Sequence, residues 1–138
     1  MLRFSRFLLG AFFVAAGIYH FVRPELYTAI VPASLPRPAL LVAISGAAEI
    51  AGGVGVFGAR TRKAAGFGLI ALLIAVFPAN ISATIHGMNI AGKPVPPWLL
   101  WARLPLQGVL IWWVWNACWK TREHPRWSAH DLVHRSGA

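Results

Sequence analysis

A chain of 138 residues that is 57% hydrophobic and 12% charged carries more apolar surface than a soluble core of this size can hide. Its net charge of +9 does not make it a nucleic-acid binder, because Lys and Arg sit between and beside apolar runs instead of forming one basic face. A single cysteine, Cys118, excludes an internal disulfide and paired-thiol chemistry and reads as a packing residue at a helix end.

The first apolar run, Phe7 to Val22, follows Arg3 and Arg6. With Val14, Ala15 and Ala16 it has the pattern of a cleavable signal. A retained helix is the preferred expectation, because the apolar run continues past that step to Val22. The connector at 23–38 carries Pro24, Pro32, Pro36 and Pro38. Leu26, Tyr27, Ile30, Val31 and Leu35 are too apolar to float in water, and Pro24 suits a first helical turn. The connector should therefore lie at the interface or fold back over the spans.

A second run covers about 39–58, and a third about 64–85, separated by Arg60, Arg62 and Lys63. Gly92, Pro94, Pro96 and Pro97 break the chain before the fourth run, about 98–119. Each run has close to the roughly 20 residues that a spanning helix needs. The expectation is all-α: a four-helix transmembrane bundle, one integral membrane domain over 1–138, with a basic cytoplasmic tail at 120–138. His124, His130 and His134, with Asp131, fall in that tail. They read as part of a solvated basic segment on anionic headgroups, and no metal site is expected.

Charge orients the spans. Arg3, Arg6, Arg60, Arg62, Lys63, Lys120, Arg122, Arg126 and Arg135 fall on one side. Arg23, Arg37, Lys93 and the head of Arg103 fall on the other. The positive-inside rule then makes both termini cytoplasmic in a multi-pass inner-membrane protein. Trp98 and Trp101 mark one end of the fourth run, and Trp112, Trp113, Trp115 and Trp119 the other, as in aromatic belts.

Polar residues within spans are costly and tend to face a bundle interior. His20, Glu49, Asn80, Arg103 and Gln107 are the candidates for ligand binding or proton handling, with His86 secondary. Alternating the helices places all six between the midplane and the outer surface. Ser45, Glu49 and Gly53, spaced by four, and the stripe Ala71, Ala75, Ala79 and Ala83 should allow close packing beside them. Pro78 and Pro105 should free carbonyls nearby. Each residue also has a plainer reading, as interhelical glue, an idle interfacial group or an ion-pair partner. Arg103 reads first as a structural or interface-snorkelling group, but its side chain is long enough to meet Glu49 directly, through Gln107 or through water.

Five segments resemble the DoxX family of small membrane proteins: Gly17 to Pro24 (GIYHFVRP), Ile30 to Pro36 (IVPASLP), Ser45 to Gly53 (SGAAEIAGG), Phe77 to Asn80 (FPAN) and Arg103 to Gln107 (RLPLQ). The resemblance spans about residues 10–115. It implies a four-helix membrane bundle, with some members associated with quinone-linked sulfur oxidation or membrane oxidoreductase complexes.

Two functions remain open. One is a redox-associated membrane subunit that binds a quinone or similar small amphiphile in an outward-facing polar pocket. Glu49 and His20 would exchange protons, and Arg103, Asn80 and Gln107 would bond its oxygens. An oxidoreductase partner would supply electrons. The other is a non-catalytic scaffold or assembly factor whose polar groups set helix register. Membrane lipid is the expected surround in both. Whether the protein is an enzyme, and which residue would be catalytic, the sequence leaves open.

Overall fold

The computed structural model describes residues 2–90 and 92–120. The tail from 121 onward, with His124, His130, Asp131 and His134, lies outside the described residues. The chain is built from helices α1 (Leu2–Val22), α2 (Pro24–Thr28), α3 (Pro38–Gly55), α4 (Arg62–His86) and α5 (Pro97–Trp119). A two-residue hairpin, β1 (Asn89–Ile90) with β2 (Lys93–Pro94), joins α4 to α5. Pro24, Pro38 and Pro97 each open a helix, where a missing N–H is harmless.

α1, α3 and α4 are long and apolar enough to cross a membrane. α5 has the length, 23 residues, but its tryptophans, Arg103, Gln107 and Asn116 make it less apolar, and it is not among the three. Large apolar side chains point outward along all four long helices, including Phe4, Phe67, Ile85, Trp98 and Trp112. Continuous outward apolar cover is abnormal for a protein in water and fits a lipid surround.

α1 lies against α3, α3 against α4, and α4 against α5, with a lighter α1–α5 contact that brings the two ends of the series together. The core is shared: Leu9 and Phe13 from α1, Val56 after α3, Leu69 and Leu73 from α4, and Val114, Ala117 and Cys118 from α5. Cys118 is buried in that core beside Gly66.

The α1–α3 contact is set by glycine. A Cβ placed on Gly17 would lie 2.5 Å from the Gly46 carbonyl oxygen, and one on Gly53 would lie 2.7 Å from that of Gly10. The seven-residue spacing within each helix repeats the approach about two turns further on, with the two helices antiparallel. Backbone meets backbone there, so no side chain fits.

Two expectations about packing need correction. The alanine stripe of α4 is mostly outside: Ala71 and Ala75 are exposed and only Ala83 is buried. At about 100° per residue, Ala71 lies roughly 200° around the helix from Leu69, which takes the inward face. α3 also stops at Gly55 instead of 58. The Thr61 hydroxyl donates to the Gly55 carbonyl oxygen at 2.8 Å and turns the chain toward α4.

Candidate functional site

The candidate residues separate into two clusters. The first joins α1, α2 and α3. His20 stands near the end of α1, with its Cβ beside Gly46, so the glycine contact that draws the helices together also buries the imidazole. Pro38 to Ser45 of α3 continue past this level and α2 packs there, so the cluster lies toward the middle of α3 and not at its outer end.

His20 Nδ1 lies 2.9 Å from the Ala16 carbonyl oxygen. A carbonyl only accepts, so Nδ1 carries the hydrogen and donates it. Glu49 Oε2 is 3.4 Å from the same Nδ1. With that N–H directed at Ala16, Oε2 is buried with no hydrogen-bond partner among the described residues. A buried polar atom left unpaired costs about 1–3 kcal/mol.

Tyr27 closes the cluster from α2. Its ring stacks on the His20 imidazole with centroids 3.6 Å apart and planes at 24°. Burial raises the Tyr27 phenol above its ordinary value; the charge of Glu49 adds to this and that of Arg103 opposes it. Tyr27 is thus within electrostatic reach of both groups. Its partner helix residue Glu25 is exposed and accepts a hydrogen bond from Arg23 Nε, which holds its carboxyl below the usual range.

The second cluster joins α4 and α5. Asn80 Nδ2 donates to Gln107 Oε1 at 2.9 Å. Gln107 Nε2 in turn donates to the Leu73 carbonyl oxygen. Leu73 is one residue before Ile74, whose carbonyl loses its usual donor because Pro78 has no N–H. The Thr84 hydroxyl lies 2.8 Å from the Asn80 carbonyl oxygen and 3.2 Å from that of Leu100. These groups satisfy one another.

Arg103 does not meet Glu49. Its described hydrogen bond runs from Nη1 to Met88 Sδ at 3.9 Å, next to the small core of Ala83, Met88 and Leu100. The ion pairs among the described residues are His20–Glu49 and Arg23–Glu25. A direct Arg103–Glu49 ion pair does not form: α5 packs on α4 and, more lightly, on α1, and the guanidinium lies beside Met88. His86 is exposed and bonds within its own helix, to the Ser82 carbonyl oxygen at 3.0 Å, so it joins neither cluster.

Tyr27 and Thr84 are the site residues that sequence reasoning did not single out. Tyr27 was legible only as one apolar residue of a proline-bounded connector. Thr84 carried a clearer signal, since it stands four residues from Asn80 and so on the same helix face.

The family model that matches is a domain of unknown function (DUF8561), over residues 9–118. The chain belongs to that family. The DoxX resemblance is corrected accordingly. The segments that carried it are short runs of Gly, Ala, Pro and single polar residues. Close helix packing and helix breaking call for these in many membrane proteins, as Gly46 and Gly53 illustrate here. No curated protein and no solved structure gives a match. The DUF8561 match takes in His20, Glu49, Asn80, Arg103 and Gln107, so both clusters fall within the family's domain.

Proposed function

We propose that this DUF8561 protein is a multi-pass inner-membrane protein of four spans, α1, α3, α4 and α5, with both termini cytoplasmic. Its His20–Glu49–Tyr27 cluster binds a quinone or similar small amphiphile and exchanges protons with it. The helix lengths, the outward apolar cover and the sidedness of Lys and Arg support the topology. Reporter fusions at Gly92 and Ala138 should report opposite sides of the membrane; the same side for both contradicts it.

One observation carries the site: the buried Oε2 of Glu49, without a hydrogen-bond partner among the described residues, beside an imidazole. A ligand hydroxyl would supply the missing hydrogen bond, and a ligand carbonyl would accept from protonated Glu49. Apolar helices around an acid and an imidazole suit a molecule that is mostly hydrocarbon ring and tail with oxygens at one end. Tyr27 would cover the imidazole face, and Arg103 would lie within electrostatic reach of the same phenol. Electrons would come from an oxidoreductase partner.

The scaffold reading keeps one observation in its favour. Asn80 bonds to Gln107, and Gln107 and Thr84 bond to backbone carbonyls, as register-setting groups do. Mass spectrometry of the mildly solubilised native protein separates the two readings. A co-purifying quinone, lost in Glu49→Gln, supports the binding site. A stable protein partner, with the same small-molecule content in wild type and Glu49→Gln, supports the scaffold and overturns the site.

A further inference from the structure

A second feature lies at the other end of the helices. Arg3 and Arg6 of α1 and Arg62 at the start of α4 line a cleft of about 390 Å³ whose remaining walls are Val56 and Phe57. Arg6 is 14 residues before His20, roughly 21 Å along the helix, so this cleft is separate from the His20–Glu49 site.

Among the described residues the arginines are only partly used. Arg6 Nε donates to the Ala117 carbonyl oxygen at 2.7 Å and Nη2 to that of Lys120 at 2.9 Å, which ties the end of α5 to α1. Arg62 Nε donates to the Val56 carbonyl oxygen at 3.1 Å. Nη1 of Arg6 and both terminal nitrogens of Arg62 keep donors beyond these bonds, and Arg3 adds its fork. Planar guanidinium forks match phosphate oxygens in geometry as well as charge. The apolar part of the lining is the exposed Phe57 ring, 6.2 Å from that of Phe7 between centroids and backed by the fully buried Val56. Positive donors above an apolar wall fit an anion carried on a hydrocarbon body.

We propose that this cleft binds the phosphate diester of an anionic glycerophospholipid, with the phosphate among Arg3, Arg6 and Arg62 and the glycerol and upper acyl carbons against Phe57. The charge sidedness that orients the spans places the cleft at the cytoplasmic leaflet, where anionic lipid is available. The inference rests on the membrane reading and is independent of the quinone reading.

The test uses the full chain in a nonionic detergent, titrated with phosphatidylglycerol or phosphatidylcholine and read by native mass spectrometry. Wild type should hold phosphatidylglycerol about tenfold more tightly than phosphatidylcholine. Arg3→Gln with Arg62→Gln should remove the preference. Arg60→Gln with Lys63→Gln takes away the same charge outside the cleft and should retain it. Arg3→Gln alone breaks no hydrogen bond described in the fold, so it should fold and still reduce the preference. No preference in wild type, or equal loss in both double variants, overturns the proposal. Displacement of the lipid by inorganic phosphate alone, with the same dependence on Arg3 and Arg62, makes it a free-anion site and overturns the lipid assignment.

Discussion

The α1–α3 half and the α4–α5 half both place polar side chains between apolar helices, but they treat them differently. Between α4 and α5, Asn80 bonds to Gln107, while Gln107 and Thr84 close on backbone carbonyls. Between α1 and α3, His20 turns its N–H to its own helix and leaves Glu49 Oε2 without a hydrogen-bond partner among the described residues. The first arrangement is complete in the protein alone. The second has an unmet hydrogen bond that a ligand can fill. The neutral Asn80, Gln107 and Thr84 of one half fit a structural role, and the titratable His20 and Glu49 of the other are the basis of the proposed site.

The contrast predicts where substitution hurts most. Gly17→Ala places a methyl against the Gly46 backbone oxygen, where nothing flexible can yield. Overpacking of this kind costs about 1–3 kcal/mol, and thermal unfolding in detergent should show the largest drop of the series. Gln107→Ala leaves the Asn80 amide without its partner and takes a second donor from the Leu73 carbonyl, which keeps its helix bond. About 1–3 kcal/mol is expected for the unsatisfied group, reduced here because interhelical hydrogen bonds in membranes average about 0.6 kcal/mol. Restoration of part of that loss by Asn80→Leu in the same chain would confirm that the two amides act as a unit. A double variant no more stable than Gln107→Ala alone would break that half of the comparison.

Glu49→Gln is expected to behave in the opposite way. It strands no donor, since the His20 N–H already serves Ala16, and unfolding should change little. Glu25→Gln should have the smallest effect. Its depressed carboxyl pKa means a contribution present above the ordinary carboxylate range and lost as pH falls through the lowered value. The pair is exposed, so the unfolding midpoint at neutral pH should not move measurably.

The helices were readable because apolar run length and proline punctuation act locally: Pro24, Pro38 and Pro97 each mark a helix start. The membership of the polar set was readable for the same reason, since polar residues stand out in apolar runs. Their pairing was not. His20 meets Glu49 because glycines 46 and 53 draw α3 onto α1, and Arg103 misses Glu49 because α5 packs on α4 and, more lightly, on α1. Both depend on how helices rotate about their axes, which spacing along one helix does not determine. Tyr27 was hidden more deeply, because its role arises from α2 folding back over α1, a long-range event.

The central claim is that the unpartnered Glu49 oxygen is a binding atom. Equilibrium binding of a short-chain quinone to the detergent-solubilised protein tests it most directly, with wild type, Glu49→Gln and Glu25→Gln compared at the same pH. The account predicts binding by wild type and Glu25→Gln, and affinity at least about tenfold weaker in Glu49→Gln, roughly 1.4 kcal/mol, with its unfolding midpoint unchanged. Equal affinity in wild type and Glu49→Gln, or no binding by wild type, would contradict it.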